Sequence, residues 1–278
     1  MKKTKLFFLF SFLISNFSAY GGEDVTYTDI SKIVNSVNVS PDKSALVIVC
    51  LENGSTWASG GSRRESLYPP ASTSKILHTL IALQEGYAEG PNAYFEWDGK
   101  KRFLEVWNQN QTLLSAYKNS ALWVYQQITQ NLGHQTMSLW VDRLEYGNRF
   151  IGTSKDITTY WLDGPLMISA SQQVEFLSRL ANELLPLSPQ TFRVGKSIMQ
   201  EASGYNWVLY GKSGFTGTVG WYVGWVEAKV EGYDHRYVFA FNMDTESWDE
   251  LPKRKEVIWT ALKQLGILPE KTDLENNP

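Results

Sequence analysis

The stretch Tyr68-Pro69-Pro70-Ala71-Ser72-Thr73-Ser74-Lys75, continued by Ile76-Leu77-His78-Thr79-Leu80-Ile81-Ala82-Leu83-Gln84-Glu85-Gly86, organises the chain. Pro69 and Pro70 cannot continue a helix backwards from Ser72, and Gly86 suits a helix C-terminus. Ile76, Leu80 and Leu83 fall at helical offsets and predict one apolar stripe. Ser72 and Lys75, three apart, then share one face at the helix start. A serine hydroxyl is a poor nucleophile until a base takes its proton. A lysine one turn on can be that base where its surroundings strip its charge. The free N–H groups of a helix N-terminus also suit a developing oxyanion. Ser72 as a mere helix cap fits the same spacing, and both readings stand at this point.

Outward from this stretch, bulk properties narrow the class. The 278 residues allow one large domain or two small ones. Residues 1–20 read as a cleaved signal peptide. Lys2, Lys3 and Lys5 precede an apolar run from Leu6 to Ala19, and small residues follow. That run is too short for a comfortable membrane span, and no later stretch is apolar enough for one. A periplasmic or secreted protein is expected. The chain carries 26 basic and 29 acidic side chains, and losing the leader makes it more acidic, which argues against a nucleic-acid partner. The single cysteine, Cys50, sits in the apolar run 45–51 and reads as a buried structural thiol. With no internal disulfide available, the core must hold the fold, and eleven tryptophans and the eight phenylalanines beyond residue 20 are available to it.

The period of the apolar pattern changes twice along the chain. Residues 45–51 predict a strand, and 56–59 pair back on it as a hairpin. From about 88 to 190 the pattern is mainly helical. Helices are expected over 113–132 with a break at Ser120, over 136–144, and over 169–184 with Ser169 as N-cap. Pro186 and Pro189 are read as ending that last segment. Strands return at 207–211, 220–227 and 237–243, with short connections that favour antiparallel pairing. A terminal helix over 257–265 closes at Gly266, before a polar tail from Pro269. The expected fold is α/β (α+β): one antiparallel sheet built from both chain ends, flanked by helices, in a single domain over 21–278. Its inserted helical subregion covers about 72–190.

Three further motifs carry chemistry. Lys212-Ser213-Gly214 follows the strand 207–211 and could hold a substrate carboxylate, or be a hairpin with an exposed lysine. Ser120-Ala121-Leu122 sits where a loop enters a helix, so Ser120 reads as a proton shuttle or an N-cap. Tyr146-Gly147-Asn148 reads as a turn. His78, His134 and His235 are scattered without metal-site spacing, so neither a metal nor an organic cofactor is expected. His78 lies six residues from Ser72, nearly two turns away. No Gly-x-Ser-x-Gly elbow is present.

Taken together, Ser72-Thr73-Ser74-Lys75, Ser120-Ala121-Leu122, Tyr146-Gly147-Asn148 and Lys212-Ser213-Gly214 resemble the motif set of the class D (oxacillinase-type) serine beta-lactamases. Trp97-Asp98-Gly99, residues 160–170, Gly220-Trp221-Tyr222-Val223-Gly224-Trp225 and Leu251-Pro252-Lys253-Arg254 are also similar to that family. The resemblance implies a serine beta-lactamase/transpeptidase-like fold and small-molecule beta-lactam substrates. It implies Ser72 as acylated nucleophile and Lys75 as a base carboxylated by carbon dioxide or bicarbonate. It further implies Trp161 as a donor to that carbamate, Leu122 as dry wall, and Ser120 as proton carrier to the leaving nitrogen. By the same resemblance the backbone of Phe215 is expected to join that of Ser72 in an oxyanion hole, and Ser213, Gly214 and Arg254 are expected to hold the substrate, with Lys212 setting the local potential. Ser74 stands where the family commonly has an aromatic, Leu122 where it commonly has valine, and Ser213 where threonine is frequent. A non-hydrolysing beta-lactam sensor and a penicillin-binding-type protein are the competing readings. The sequence leaves monomer and homodimer open.

Overall fold

The computed structural model describes residues 26–245 and 247–270. The expected leader and the end of the polar tail lie outside the described residues. Two short elements, β1 (Thr28–Asp29) and α1 (Ser31–Ser36), lead into β2 (Ser44–Cys50) and β3 (Thr56–Ser59), the predicted hairpin. A 3-10 turn over Ala71–Ser74 then feeds α2 (Lys75–Gln84). The inserted region holds a small ribbon, β4 (Tyr94–Phe95) with β5 (Gln111–Thr112). It also holds α3 (Leu113–Lys118), α4 (Leu122–Arg143) and α5 (Ala170–Ala181). Then follow α6 (Pro189–Met199), β6 (Gln200–Gly204), β7 (Trp207–Phe215), β8 (Val219–Val230), β9 (Tyr233–Asp244) and α7 (Lys253–Gln264).

Seven strands form one sheet in the order β1-β3-β2-β9-β8-β7-β6. β2 pairs antiparallel with β9, so the two chain ends do share the sheet. Only the two-residue β1 pairs in parallel. Strand alternation sorts side chains between two cores. Ala45, Val47, Trp221, Val223, Trp225, Val238 and Ala240 face the helical insertion. Leu46, Ile48, Cys50, Tyr222, Tyr237, Phe239 and Phe241 face α1 and α7 on the other side.

Several expectations change. α2 is buried from Lys75 through Ala82, all round, rather than along the Ile76, Leu80, Leu83 stripe. It runs through the middle of the insertion, with α4 and α6 against it, so no face is left for solvent. Pro189 does not end a helix but begins α6. Ser188 accepts from Thr191 N–H as N-cap and proline occupies the first turn, where its missing N–H is no loss. The insertion therefore runs to Met199. β7 reaches Phe215, so Lys212-Ser213-Gly214 lies within the strand and not after it. β6, short and polar, carries no alternating signal and was not expected. The break at Ser120 is real, with the residue at φ 53 between α3 and α4, while α4 kinks at Gly133.

Candidate active site

The 3-10 turn sets Ser72 at the surface and Lys75 beneath it. Ser72 is half-buried, whereas Thr73, Ser74 and Lys75 are buried. The Lys75 amine lies 2.8 Å from Ser72 Oγ. Lys75 has no exposed surface, and burial together with the Lys212 charge pushes its pKa well below the usual lysine value. Both causes act in the same direction, against the charged ammonium. The Tyr125 ring lies under it, 5.1 Å from centroid to nitrogen.

The turn is braced from several directions. Ala71 N–H donates to Trp161 O at 2.8 Å, Trp221 Nε1 donates to Pro69 O at 3.1 Å, and Ser74 Oγ donates to Ala71 O at 2.7 Å. Gly214 of β7 comes so close that a Cβ there would stand 3.0 Å from Pro70 O and 3.2 Å from Thr73 N. The close approach of β7 to the Ser72 turn leaves little room for a side chain here.

A second lysine–serine pair stands beside the first. Lys212 Nζ donates to Ser120 Oγ at 2.5 Å and to Ser213 O at 3.2 Å. Burial lowers the Lys212 pKa to about 7. Glu201 opposes the shift, and Lys255, Arg254 and Lys118 add to it. Beyond Tyr210, β6 no longer covers β7, which leaves a free edge. Gly211 O accepts from Tyr117 Oη there at 3.0 Å, and Ser213 O from Lys212. Alternation puts the backbone of Phe215 next in that series. Ser213 is half-buried, and Arg254 Nη1 donates to Gly214 O at 2.5 Å. Arg254 packs on Gly220, whose missing Cβ admits its stem.

Trp161 is fully buried, and its indole N–H has no hydrogen-bond partner among the described residues. Its ring meets His78 edge-on at 4.7 Å and Tyr160 at 4.9 Å. Sequence reasoning missed His78. It bonds Tyr160 Oη through Nε2 at 2.7 Å, and burial, then the Lys75 charge, lowers its pKa to about 3. Counted from Lys75 rather than Ser72 it is three residues on, hence on the same face. Leu122 is half-buried at the start of α4, against the core.

Comparison with known proteins agrees with this geometry. The penicillin binding protein transpeptidase domain family matches residues 47–263. Beta-lactamase OXA-3 of Pseudomonas aeruginosa is 38% identical over 208 residues, covering 74% of each chain. The chain belongs to the class D serine beta-lactamase family. It is accordingly an enzyme of that family, with the fold the resemblance implied. Beta-lactamase OXA-48 of Klebsiella pneumoniae is similar at 35% identity over 211 residues, 74% of this chain and 77% of that protein. The solved class D beta-lactamase YbXI from Nostoc is 35% identical with a TM-score of 0.81, covering 86% of this chain and 98% of that one.

Within the class D scaffold, Tyr146-Gly147-Asn148 is more than a turn. A Cβ on Gly147 would stand 2.2 Å from Met167 O, and Asn148 Nδ2 donates to Pro165 O at 2.8 Å. The stretch thereby clamps the loop that carries Ile168, which bridges to Tyr68 just before the Ser72 turn. Ser74, in place of an aromatic, is buried and hydrogen-bonded, so it closes the turn. No helix among the described residues is long and apolar enough to cross a membrane.

Proposed function

We propose that this protein is an exported enzyme that hydrolyses the beta-lactam ring through an acyl-enzyme on Ser72. The observation that carries the reading is a fully buried Lys75, its pKa pushed well down by burial, with its amine 2.8 Å from the hydroxyl of the half-buried Ser72. Such a pair can move the hydroxyl proton inward as Ser72 Oγ attacks the lactam carbonyl. The N–H groups of Ser72 and Phe215 receive the developing oxyanion. Ser120, bonded to Lys212, relays a proton to the departing lactam nitrogen. Ser213 and Arg254 hold the substrate carboxylate, and Lys212 adds positive potential in its protonated form. Water then attacks the ester carbonyl and frees Ser72.

The surroundings of Lys75 fit its carboxylated form. Carbon dioxide taken up by the amine would supply an anionic base. A neutral amine is the form that reacts, and burial provides it. An anion in so dry a place needs a donor, and the orphaned Trp161 N–H is one. Leu122 contributes to the apolar wall.

Purified leaderless protein should open a chromogenic cephalosporin over many cycles, faster with added bicarbonate. A single stoichiometric acylation whose adduct persists for hours would overturn hydrolysis and favour the sensor or penicillin-binding reading.

A further inference from the structure

We propose that Cys50, Glu52 and His235 form a zinc site on the face of the sheet turned away from α2. Antiparallel pairing creates the cluster. Cys50 is opposite Tyr237 in the β2–β9 register, and His235 lies two residues before Tyr237 on the same face of β9. Glu52 returns to them through the tight turn after β2, where Cys50 O accepts from Gly54 N–H. Cys50 Sγ lies 3.7 Å from His235 Nδ1 and 3.8 Å from Glu52 Oε2, and those two are 4.0 Å apart. Zinc bonds of about 2.3 Å to sulfur and about 2.0–2.2 Å to nitrogen and oxygen put tetrahedral ligand atoms roughly 3.4–3.6 Å apart. A contraction of roughly 0.1–0.6 Å, largest between His235 and Glu52, would therefore seat the ion.

The ligand chemistry favours zinc over harder ions. A thiolate and an imidazole outweigh one carboxylate, and calcium or magnesium would want oxygen throughout. Arg236 orients the carboxylate from outside. Its Nε donates to Glu52 Oε1 at 2.9 Å and its backbone N–H to Oε2 at 2.7 Å, leaving a second lone pair on Oε2. Tyr237 stacks beside His235 at 5.9 Å. Cys50 is buried, while Glu52 and His235 keep 26% and 22% of their side chains exposed. These two line an open cavity of about 910 Å³ that also reaches Trp207 and Lys229. Zinc can enter there, and the fourth position faces it. The cavity borders the start of β7, about six residues or roughly 20 Å of strand from Gly214. The site is thus remote from Ser72 and independent of its chemistry.

The test is titration of reduced, metal-stripped whole protein with zinc against a chromophoric chelator. Cobalt serves as a spectroscopic probe, because only thiolate ligation gives a sulfur-to-cobalt charge-transfer band. One zinc per chain is expected, with that band present. Both should be lost in Cys50→Ala. Replacing an outer partner of a metal typically costs 10–100-fold in affinity, so His235→Ala, which removes a direct ligand, should weaken binding at least about 100-fold. His235 is partly exposed, so this variant keeps the test valid if Cys50→Ala folds poorly. Zinc should raise the melting temperature of the unaltered protein and not of His235→Ala, while lactam turnover stays equal in both. Absence of stoichiometric zinc binding, or binding unchanged in His235→Ala, or no thiolate band, overturns the site.

Discussion

Trp161→Phe removes one N–H and keeps an aromatic ring in the same slot. That N–H is buried and unpartnered. A hydrogen bond to a charged acceptor is worth about 1.5–3 kcal/mol, and a buried donor left unpaired costs about 1–3 kcal/mol. Carboxylation of Lys75 would turn the second condition into the first. Removing the donor should then raise the bicarbonate needed for half-maximal activity. One pKa-sized unit is 1.36 kcal/mol, so the expected rise is about 10- to 100-fold. The assay is initial hydrolysis of a chromogenic cephalosporin in carbon-dioxide-stripped buffer with graded bicarbonate. Labelled bicarbonate, followed by NMR, reports the carbamate itself. Saturating bicarbonate should recover much of the rate in Trp161→Phe, and without bicarbonate the variant should lose little stability, since its orphaned donor has gone. Equal half-saturating bicarbonate in the two proteins would refute the assignment of this N–H.

Lys75→Met should abolish turnover yet raise stability by about 1–3 kcal/mol in denaturant unfolding, because an amine held neutral by burial is replaced by an apolar chain of similar length. For Lys212 the folded pKa of about 7 lies below the ordinary lysine value of 10.5. Between those values the unfolded chain binds a proton that the folded one does not. Stability contributed above pH 10.5 is therefore lost as pH falls towards 7, at up to about 1.4 kcal/mol per pH unit, and is flat below. Unfolding midpoints across that window should show a shallower slope in Lys212→Met. Gly214→Ala would press a methyl on the Pro70 and Thr73 backbone. About a 10-fold fall in kcat/KM is expected from the shifted nucleophile, and an unchanged value would show that the turn has room to give.

What could be read from the chain follows from which signals are local. The 45–51 hairpin and the capped helix at Ser169 each rest on neighbours in sequence and appear where their patterns put them, whereas the helix expected from Ser72 opens as a 3-10 turn over Ala71–Ser74 and becomes α-helical at Lys75. Pro189 was misjudged because a proline before a helix and one after it look alike until the Ser188 cap is counted. Burial was harder. An amphipathic count cannot tell that α2 is enclosed on every side, although that enclosure is what lowers the Lys75 and His78 pKa values. The role of His78 was obscured by measuring from the wrong residue. His235 is separated from Cys50 and Glu52 by most of the chain, and the β2–β9 register brings the three within 4.0 Å. The register can do this because both ends of the chain enter one sheet. The same topology keeps the two sets of chemistry apart. Along β2 and β9, odd and even positions face different cores. On one side the sheet closes off Lys75 beneath the nucleophile turn. On the other it gathers a thiol and an imidazole at the rim. A residue's parity along its strand therefore decides which chemistry it can join, and sequence distance does not.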